Sequence, residues 1–597
     1  MIVRPLPRTP LAPRRHPPLP ASSPSTDPAA SVHPGATPDG QPQEVPLVEI
    51  HLQARLQTRF QAPSRPARPD GVARQPGARQ REGRRRPHPA ARHPVASIPP
   101  PAPARPPRRP SATMPPMHDG SNPLLRFVHA RGPQPALALD ELTLSFAALD
   151  ELSANVASAL ARRGLSKGDR AALVLRSSVD GVLCLLGCLR RGVVVVPVNP
   201  GYQEQELAHV LADSGASLVI EDEPCPALHD LTARAPVVSS RALLEEGAST
   251  LDAADVALHG DDLAMLIYTS GTTGRSKGCA HTVAGLSAGI GALMDLWALA
   301  PSDVVLDALP LFHVHGLCVC LLGALSRGAC VRLVPRFSPA AVVDGARRGA
   351  TVFMSVPTMV HRLLGALDDE GASALSSLRL VTCGSAALSA DHLRAFEART
   401  GHTILERYGM SETLITLSNP LVGERRAGAV GWAVPGTRVR VVDDELQVSS
   451  PGTMKGYWNR PDADAESFVV DGEGARWFRT GDVVTLDDDG CVRIVGRASQ
   501  DILKVGAYKL STREIEEQIE AHPAVREVAV VGVADEEWGE RVCAVVALRE
   551  GASLTLAELR EHVKLAEVKR PRELVVLDEL PRNAMGKVMK SALKGRG

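Results

Sequence analysis

No run of eighteen or more apolar residues occurs in the 597-residue sequence, so no membrane-spanning helix is expected. The strongest candidate, residues 184–189 followed by 193–198, is cut by Arg190, Arg191 and Gly192, the pattern of a soluble helix feeding a buried strand. Net charge is missing as well, since 67 basic residues balance 67 acidic ones. That balance hides an asymmetry: residues 1–113 hold 18 Arg, no Lys and only 6 acidic residues, which leaves the remainder mildly acidic. A mildly acidic body argues against a phosphate backbone as the main partner. The basic tail has Phe60 as its one aromatic and so lacks the interleaved rings of a nucleic-acid-binding arm, and no nucleic-acid partner is expected. The ten cysteines form no CxxC pair and sit mostly inside apolar runs. This pattern excludes a disulfide framework or a zinc site and fits reduced, buried thiols in a cytoplasmic protein.

Residues 1–113 are dominated by Pro, Ala and Arg, a composition that buries too little apolar surface to offset chain entropy. A disordered tail is expected there, or a translation start at Met114 or Met117; an organelle presequence is disfavoured by the density of proline. From about residue 122 strands and helices alternate. Helices are expected at 146–163, 179–191 and 204–214, and strands at 170–175, 193–198 and 217–221. This alternation argues for an α/β architecture with parallel sheets covered on both faces. A second block of the same kind runs from 263 to about 421. Beyond Pro435 shorter, β-rich segments take over, with strands expected at 438–442 and 492–495. An α+β segment closes the chain, with helices at 512–522 and 555–564 and strands at 525–533 and 541–548. The organisation expected is a tail over 1–113, a large N-terminal domain over 122–496 and a small, mobile C-terminal domain over 497–597.

The chemistry is concentrated in Tyr268-Thr-Ser-Gly-Thr-Thr-Gly-Arg-Ser-Lys-Gly278, which follows an apolar strand. Glycines let the backbone turn and approach an anion, hydroxyls add donors and Lys277 adds positive charge. This is a phosphate loop. It departs from the Walker pattern because Ser276 precedes Lys277 and Gly278 follows it, and that weighs against a P-loop phosphotransferase.

With this loop the chain resembles the adenylate-forming superfamily of acyl-CoA synthetases, luciferases and nonribosomal adenylation domains. Further segments match in that family's order across residues 122–595. In the loop, Thr269, Ser270, Gly271, Thr272, Thr273, Gly274 and Lys277 would surround the phosphates of ATP. Cys383-Gly-Ser-Ala-Ala387 is similar to the adenine-side loop, giving Gly384, Ser385 and Ala386. Glu406-Arg-Tyr-Gly-Met-Ser-Glu412 is similar to the segment that stacks adenine on Tyr408, with Arg407, Gly409, Met410 and Ser411 around it. The resemblance implies that Glu412, with Thr272, holds Mg2+. Thr480-Gly-Asp482 resembles the ribose motif, Gly496-Arg497 the start of the hinge, and Pro581-Arg-Asn-Ala-Met-Gly-Lys587 the C-terminal lysine motif. Read alone, Asp482 would cap a turn and Lys587 would be a solvated tail residue; only the ordered set lifts them above that.

The resemblance implies attack of a carboxylate on the α-phosphorus of ATP, then transfer of the acyl group to coenzyme A. Both first reactants are anions, so positive groups and in-line positioning lower the barrier, and Lys587 would supply charge between carboxylate and phosphate. The small domain is expected to rotate between the two steps, bringing Gly506 and Ala507 to the CoA channel. Ala507 stands where the family has a second glycine, and its methyl narrows the thiol's approach. Residues 442–447 join two strands directly where relatives have a longer hairpin, a difference with structural effect only. Leu309-Pro-Leu-Phe-His-Val-His-Gly316, Arg336-Phe-Ser338, Val356-Pro-Thr358 and residues 423–431 are similar to malonyl-CoA synthetases within the superfamily. Malonate carries a second carboxylate that must be paired once buried, and arginine suits a bidentate pair. Arg336 is the candidate, with His313 and His315 as neighbouring donors. Other acids remain open at this stage: methylmalonate, another small dicarboxylate, or a short or aryl monocarboxylate. So does an adenylating enzyme that loads a carrier protein on a separate chain.

Overall fold

The helix Val179–Arg191 shows how local sequence builds the first layer. Ser178 caps its start by accepting from the Gly181 N–H, and Gly192 ends it in the left-handed region at φ 70°. Eleven of its thirteen residues are buried, Arg190 among them, and Arg190 is tolerated because Asp150 and Asp255 pair with it. The chain then enters the fully buried strand Val194–Val198, as the interrupted apolar run predicts. The structure is a computed structural model that describes residues 124–125, 132–231, 235–247, 255–269, 276–498, 501–505, 508–535, 538–582 and 587–594. The expectations for the 1–113 tail, for Ser270, Gly271, Thr272, Thr273 and Gly274, and for Gly506 and Ala507 lie outside the described residues.

Four sheets organise those residues. The first has seven strands in the order Gly456–Tyr457, Lys277–Thr282, Leu263–Thr269, Val194–Val198, Arg170–Val174, Leu218–Glu221 and Val237–Ser239. Its last five strands run parallel and the first two are antiparallel additions. The second has nine strands, with a parallel centre in the order Leu405–Met410, Leu380–Cys383, Val352–Ser355, Val304–Asp307 and Cys330–Leu333. A third, antiparallel sheet contains Arg438–Val442, Glu445–Ser449, Phe468–Val470, Arg476–Leu486 and Val492–Arg497. The fourth, formed within residues 502–577, packs the helices Thr512–Glu520 and Leu556–His562 against its apolar side. This is the α/β organisation read from the sequence: two large α/β sheets and a β-rich sheet in a large N-terminal domain, then a small α+β C-terminal domain.

Element ends moved by a few residues. The strands expected at 525–533 and 541–548 extend to Val525–Asp535 and Gly539–Leu548, because their antiparallel ladder continues to the pair Asp535↔Gly539. Backbone pairing, not apolar content, sets such ends. The helices expected at 512–522 and 555–564 close earlier, at Glu520 and His562. Among the described residues no helix is long and apolar enough to cross a membrane. All ten cysteines are free thiols and all but Cys225 are buried.

Candidate active site

Thr269 and Lys277 are paired across an antiparallel ladder, so the strands that flank the expected phosphate loop form a hairpin. A Walker loop leads from a strand into a helix instead. The hairpin sets Lys277 beside Tyr457, with the ammonium 4.8 Å from the ring centroid. Tyr457 lies on the neighbouring edge strand and donates its hydroxyl to Glu412 Oε1 at 2.9 Å. The Glu412 backbone carbonyl accepts from the Met454 N–H, and the Ser411 carbonyl sits 2.7 Å from His281 Nε2. Three contacts therefore lock the Ser411–Glu412 turn to the sheet that carries the phosphate loop. Glu412 is buried, and burial raises its pKa despite the Tyr457 hydrogen bond and the nearby Arg497 charge. Among the described residues it has no salt bridge. Buried hard oxygen without a cationic partner suits a divalent cation such as Mg2+.

The segment Leu405–Met410 pairs with the strand Leu414–Ser418 as a tight hairpin. A Cβ on Gly409 would lie 2.1 Å from the Leu414 carbonyl oxygen, so glycine alone fits there. Gly384 is constrained from the other side, since a Cβ would meet the Arg407 carbonyl and guanidinium at 2.6 Å. Ser385 follows at φ 71° and, with Ala386, stands exposed at the end of the Leu380–Cys383 strand. Tyr408 donates its hydroxyl to Asp482 Oδ2 at 2.5 Å, and Arg497 Nε donates to Asp482 Oδ1 at 2.9 Å. Three separate segments, expected to serve adenine, ribose and hinge, thus meet on one carboxylate. Burial and the Asp482 charge push the Tyr408 phenol well above its usual range, so it stays a donor. Lys587 is electrostatically coupled to the same cluster. Its side chain keeps solvent access, yet desolvation by surrounding protein, and then the Arg497 charge, hold its ammonium below the usual lysine range.

The residues expected on the acid side lie beyond the carboxyl ends of the parallel strands of the second sheet, where open α/β sheets bind ligands. His315 follows the strand Val304–Asp307 and Arg407 lies on a strand three positions away, and the segment after Val304–Asp307 crosses the strand ends to join them. Arg407 Nη2 lies 2.6 Å from Nδ1 and 2.7 Å from Nε2 of His315, so the imidazole must be neutral to accept. Burial first, then the Arg407 charge, keeps its pKa well below the ordinary value. His313 is also held neutral, lowered to about 4 by burial, and its Nε2 has no partner. Arg407 is buried, its pKa is lowered to about 10 by desolvation, and its Nε is likewise unpartnered. Arg336, by contrast, is exposed beyond the Cys330–Leu333 strand. That strand is four positions from the Arg407 strand, about 19 Å at the usual strand spacing. No hydrogen bond or ion pair among the described residues joins Arg336 to His313, His315 or Arg407.

Sequence reasoning named Arg407 without seeing that it is a buried cation paired with a neutral histidine 92 positions away. It missed Tyr457 and His281 altogether; no local motif marks them, and only the pairing of their strands brings them to Glu412 and Ser411. It also missed Lys590, whose ammonium is enclosed by three acceptors.

Comparison with known proteins places this geometry. The model of the AMP-binding enzyme family matches residues 125–458, and that of the AMP-binding enzyme C-terminal domain matches residues 514–587. The human protein named "Malonate–CoA ligase ACSF3, mitochondrial" is 37% identical over 457 residues, covering 67% of this chain and 78% of that protein. A "Sulfoacetate–CoA ligase" from Cupriavidus necator is 36% identical over 476 residues, covering 75% and 92%. Among solved structures, ATP-bound MatB from Rhodopseudomonas palustris superposes with a TM-score of 0.74 at 35% identity, covering 80% of this chain and 98% of that one. Two family models matched in order, relatives aligned over most of their length and a shared fold lead to one conclusion: the chain belongs to the AMP-binding enzymes of the adenylate-forming superfamily.

Proposed function

We propose that the chain is an AMP-forming acid–CoA ligase that converts malonate, through malonyl-AMP, to malonyl-CoA. The observation that carries the choice of acid is the buried Arg407 guanidinium, whose one bonded side chain among the described residues is a neutral histidine and whose Nε has no partner among them. A buried cation costs free energy until an anion pairs with it. Malonate supplies that anion in its second carboxylate, whereas acetate and a fatty acid do not. Relatives named for malonate and for sulfoacetate, both short acids with a second anionic group, support the same pocket chemistry. We assign the second carboxylate to Arg407, with the His313 and His315 rings beside it, and place Arg336 at the outer rim as a solvent-facing cation.

In the first step a carboxylate oxygen of malonate bonds to the α-phosphorus of ATP and pyrophosphate leaves. Lys587 supplies positive charge at the forming bond. Thr269, Lys277 and the loop residues through Gly274 hold the phosphates. Gly384, Ser385, Ala386 and Tyr408 line the adenine, with Gly409, Met410 and Ser411 shaping that wall, and Asp482 accepts from the ribose hydroxyls beside Arg497. Glu412, with Thr272, would hold Mg2+, which neutralises charge on the leaving pyrophosphate. In the second step the CoA sulfur bonds to the acyl carbon past Gly506 and Ala507, its proton is released, and AMP leaves. We place the domain boundary at 496/497 and the enzyme in the cytoplasm, which its free, buried thiols support. The compartment in the human relative's name makes cell fractionation the check.

The function is tested by offering malonate, methylmalonate, sulfoacetate, acetate and octanoate with ATP, Mg2+ and CoA, and identifying the thioester by mass. Malonyl-CoA and AMP formed fastest from malonate is the expected result. Sulfoacetate preferred would keep the anion-pairing pocket and replace the acid; acetate or octanoate preferred would remove the pocket's rationale.

A further inference from the structure

The C-terminal segment that carries Lys587 has a second lysine three residues on, and its surroundings differ completely. Lys590 Nζ lies 2.6 Å from Asp501 Oδ1, 2.7 Å from Glu516 Oε1 and 2.8 Å from Thr512 Oγ1. An ammonium has three donors, and here each has its own acceptor. The Lys590 side chain is 13% exposed, so this is an enclosed ion cluster, not a solvated surface pair.

The three acceptors are themselves fixed. Asp501 Oδ2 accepts from the Arg497 N–H, the Asp501 N–H donates to the Arg497 carbonyl, and the Thr512 N–H donates to the Asp501 carbonyl. Glu516 Oε1 also accepts from the Val530 N–H in the strand Val525–Asp535 of the fourth sheet. On the other side, Arg582 and Val588 form a β-bridge and the Met589 N–H donates to the Pro581 carbonyl. That bridge joins the residues on either side of Lys587. Lys587 is thus followed by a bridge residue one position on and by an anchor three positions on. Three residues of chain span at most about 10 Å, so the Lys590 anchor sets how far Lys587 reaches.

We propose that Lys590 is a positioning residue for adenylation: it fastens the Lys587 loop to Asp501, and through Asp501 to Arg497, which bonds the Asp482 carboxylate. The proposal rests on the reading of Lys587 as the adenylation lysine. Lys590 touches neither substrate nor reacting atoms; it fixes the distance between the Lys587 ammonium and the Asp482–Arg497 pair. Because the CoA step does not use Lys587, loss of the anchor acts on the first step alone.

The experiment compares Lys590→Met, Lys590→Arg and Thr512→Val with wild type in the two half-reactions. Malonate-dependent ATP–pyrophosphate exchange reads the first, and malonyl-CoA formed from synthetic malonyl-AMP reads the second. Lys590→Met is expected to lower exchange on the order of 100-fold, the cost of roughly 1 Å of misplacement, and to leave the second step near wild type. Lys590→Arg should restore part of the exchange, and Thr512→Val, which keeps every charge, should give a smaller loss of the same kind. Equal loss in both half-reactions, or no loss in either, overturns the proposal. Hydrogen–deuterium exchange over residues 581–594 is measured in parallel and needs no substrate. Faster exchange confined to that segment in Lys590→Met is the expected result, and an unchanged segment overturns the anchor. Wild-type protein inactive with every acid would sink the activity reading, while the hydrogen-exchange arm still decides whether Lys590 holds the loop.

Discussion

At Arg407 the chain keeps a guanidinium in its interior with no carboxylate paired to it among the described residues, and that arrangement makes a sharp demand on its ligand. Its pKa, though lowered to about 10, leaves it charged at neutral pH, and the neutral His315 supplies only a lone pair. Replacing Arg407 with Gln is expected to lower kcat/KM for malonate by about 100-fold, roughly the 3 kcal/mol of a charge-assisted pair. Acetate should be affected far less, and the thermal midpoint should hold, because removing an unpaired buried charge also removes its desolvation cost. Parallel kinetics on the two acids check this, with Arg336→Ala as the comparison; equal losses on malonate and acetate would contradict the assignment. The sequence made the residue visible but not its state. Motif order pointed to Arg407 as a neighbour of Tyr408, whereas its burial and its histidine partner depend on a chain crossing over the strand ends. Arg336 shows the converse: a basic residue just past a strand looks the same in sequence whether it faces a pocket or solvent.

Elements were more legible than residues. The apolar run ending at Gly192 foretells both the buried helix and the strand after it, because Ser178 and Gly192 are local capping signals that need no distant partner. The shortened connection at residues 442–447 was also readable, and the structure shows its form. Val442 pairs with Glu445, and Asp443 and Asp444 make the turn at φ 51° and 68°. Two positive φ values in a two-residue hairpin define a type I′ turn, for which Asn-Gly is the favoured pair. Asp443→Asn with Asp444→Gly should therefore stabilise the protein by about 1 kcal/mol, read as a higher urea midpoint with an unchanged slope. AMP release should not change, since the turn lies outside the site; a lower midpoint would show that the aspartates are held by more than the turn. Strand ends were less legible because ladder hydrogen bonds extend beyond the apolar residues that nucleate them, as at Asp535↔Gly539.

Over the whole molecule, Tyr408, 74 residues away, and Arg497, 15 residues away, both bond Asp482, and Tyr457 ties Glu412 to the sheet carrying the phosphate loop. Motif order could say which residues belong together; which atoms face which is a property of the sheets, and so the Tyr408–Asp482–Arg497 chain and the Lys590 anchor emerge only in three dimensions. The central claim is that the acid's own oxygen attacks the α-phosphorus. It is tested most directly with malonate labelled with 18O in its carboxylates, together with ATP, Mg2+ and CoA, by mass analysis of the AMP released. Because the malonate oxygen bonds to phosphorus and stays there when the thiol displaces the nucleotide, one 18O atom per AMP is expected. Unlabelled AMP, or label found in inorganic phosphate beside ADP, would contradict a malonyl-AMP intermediate.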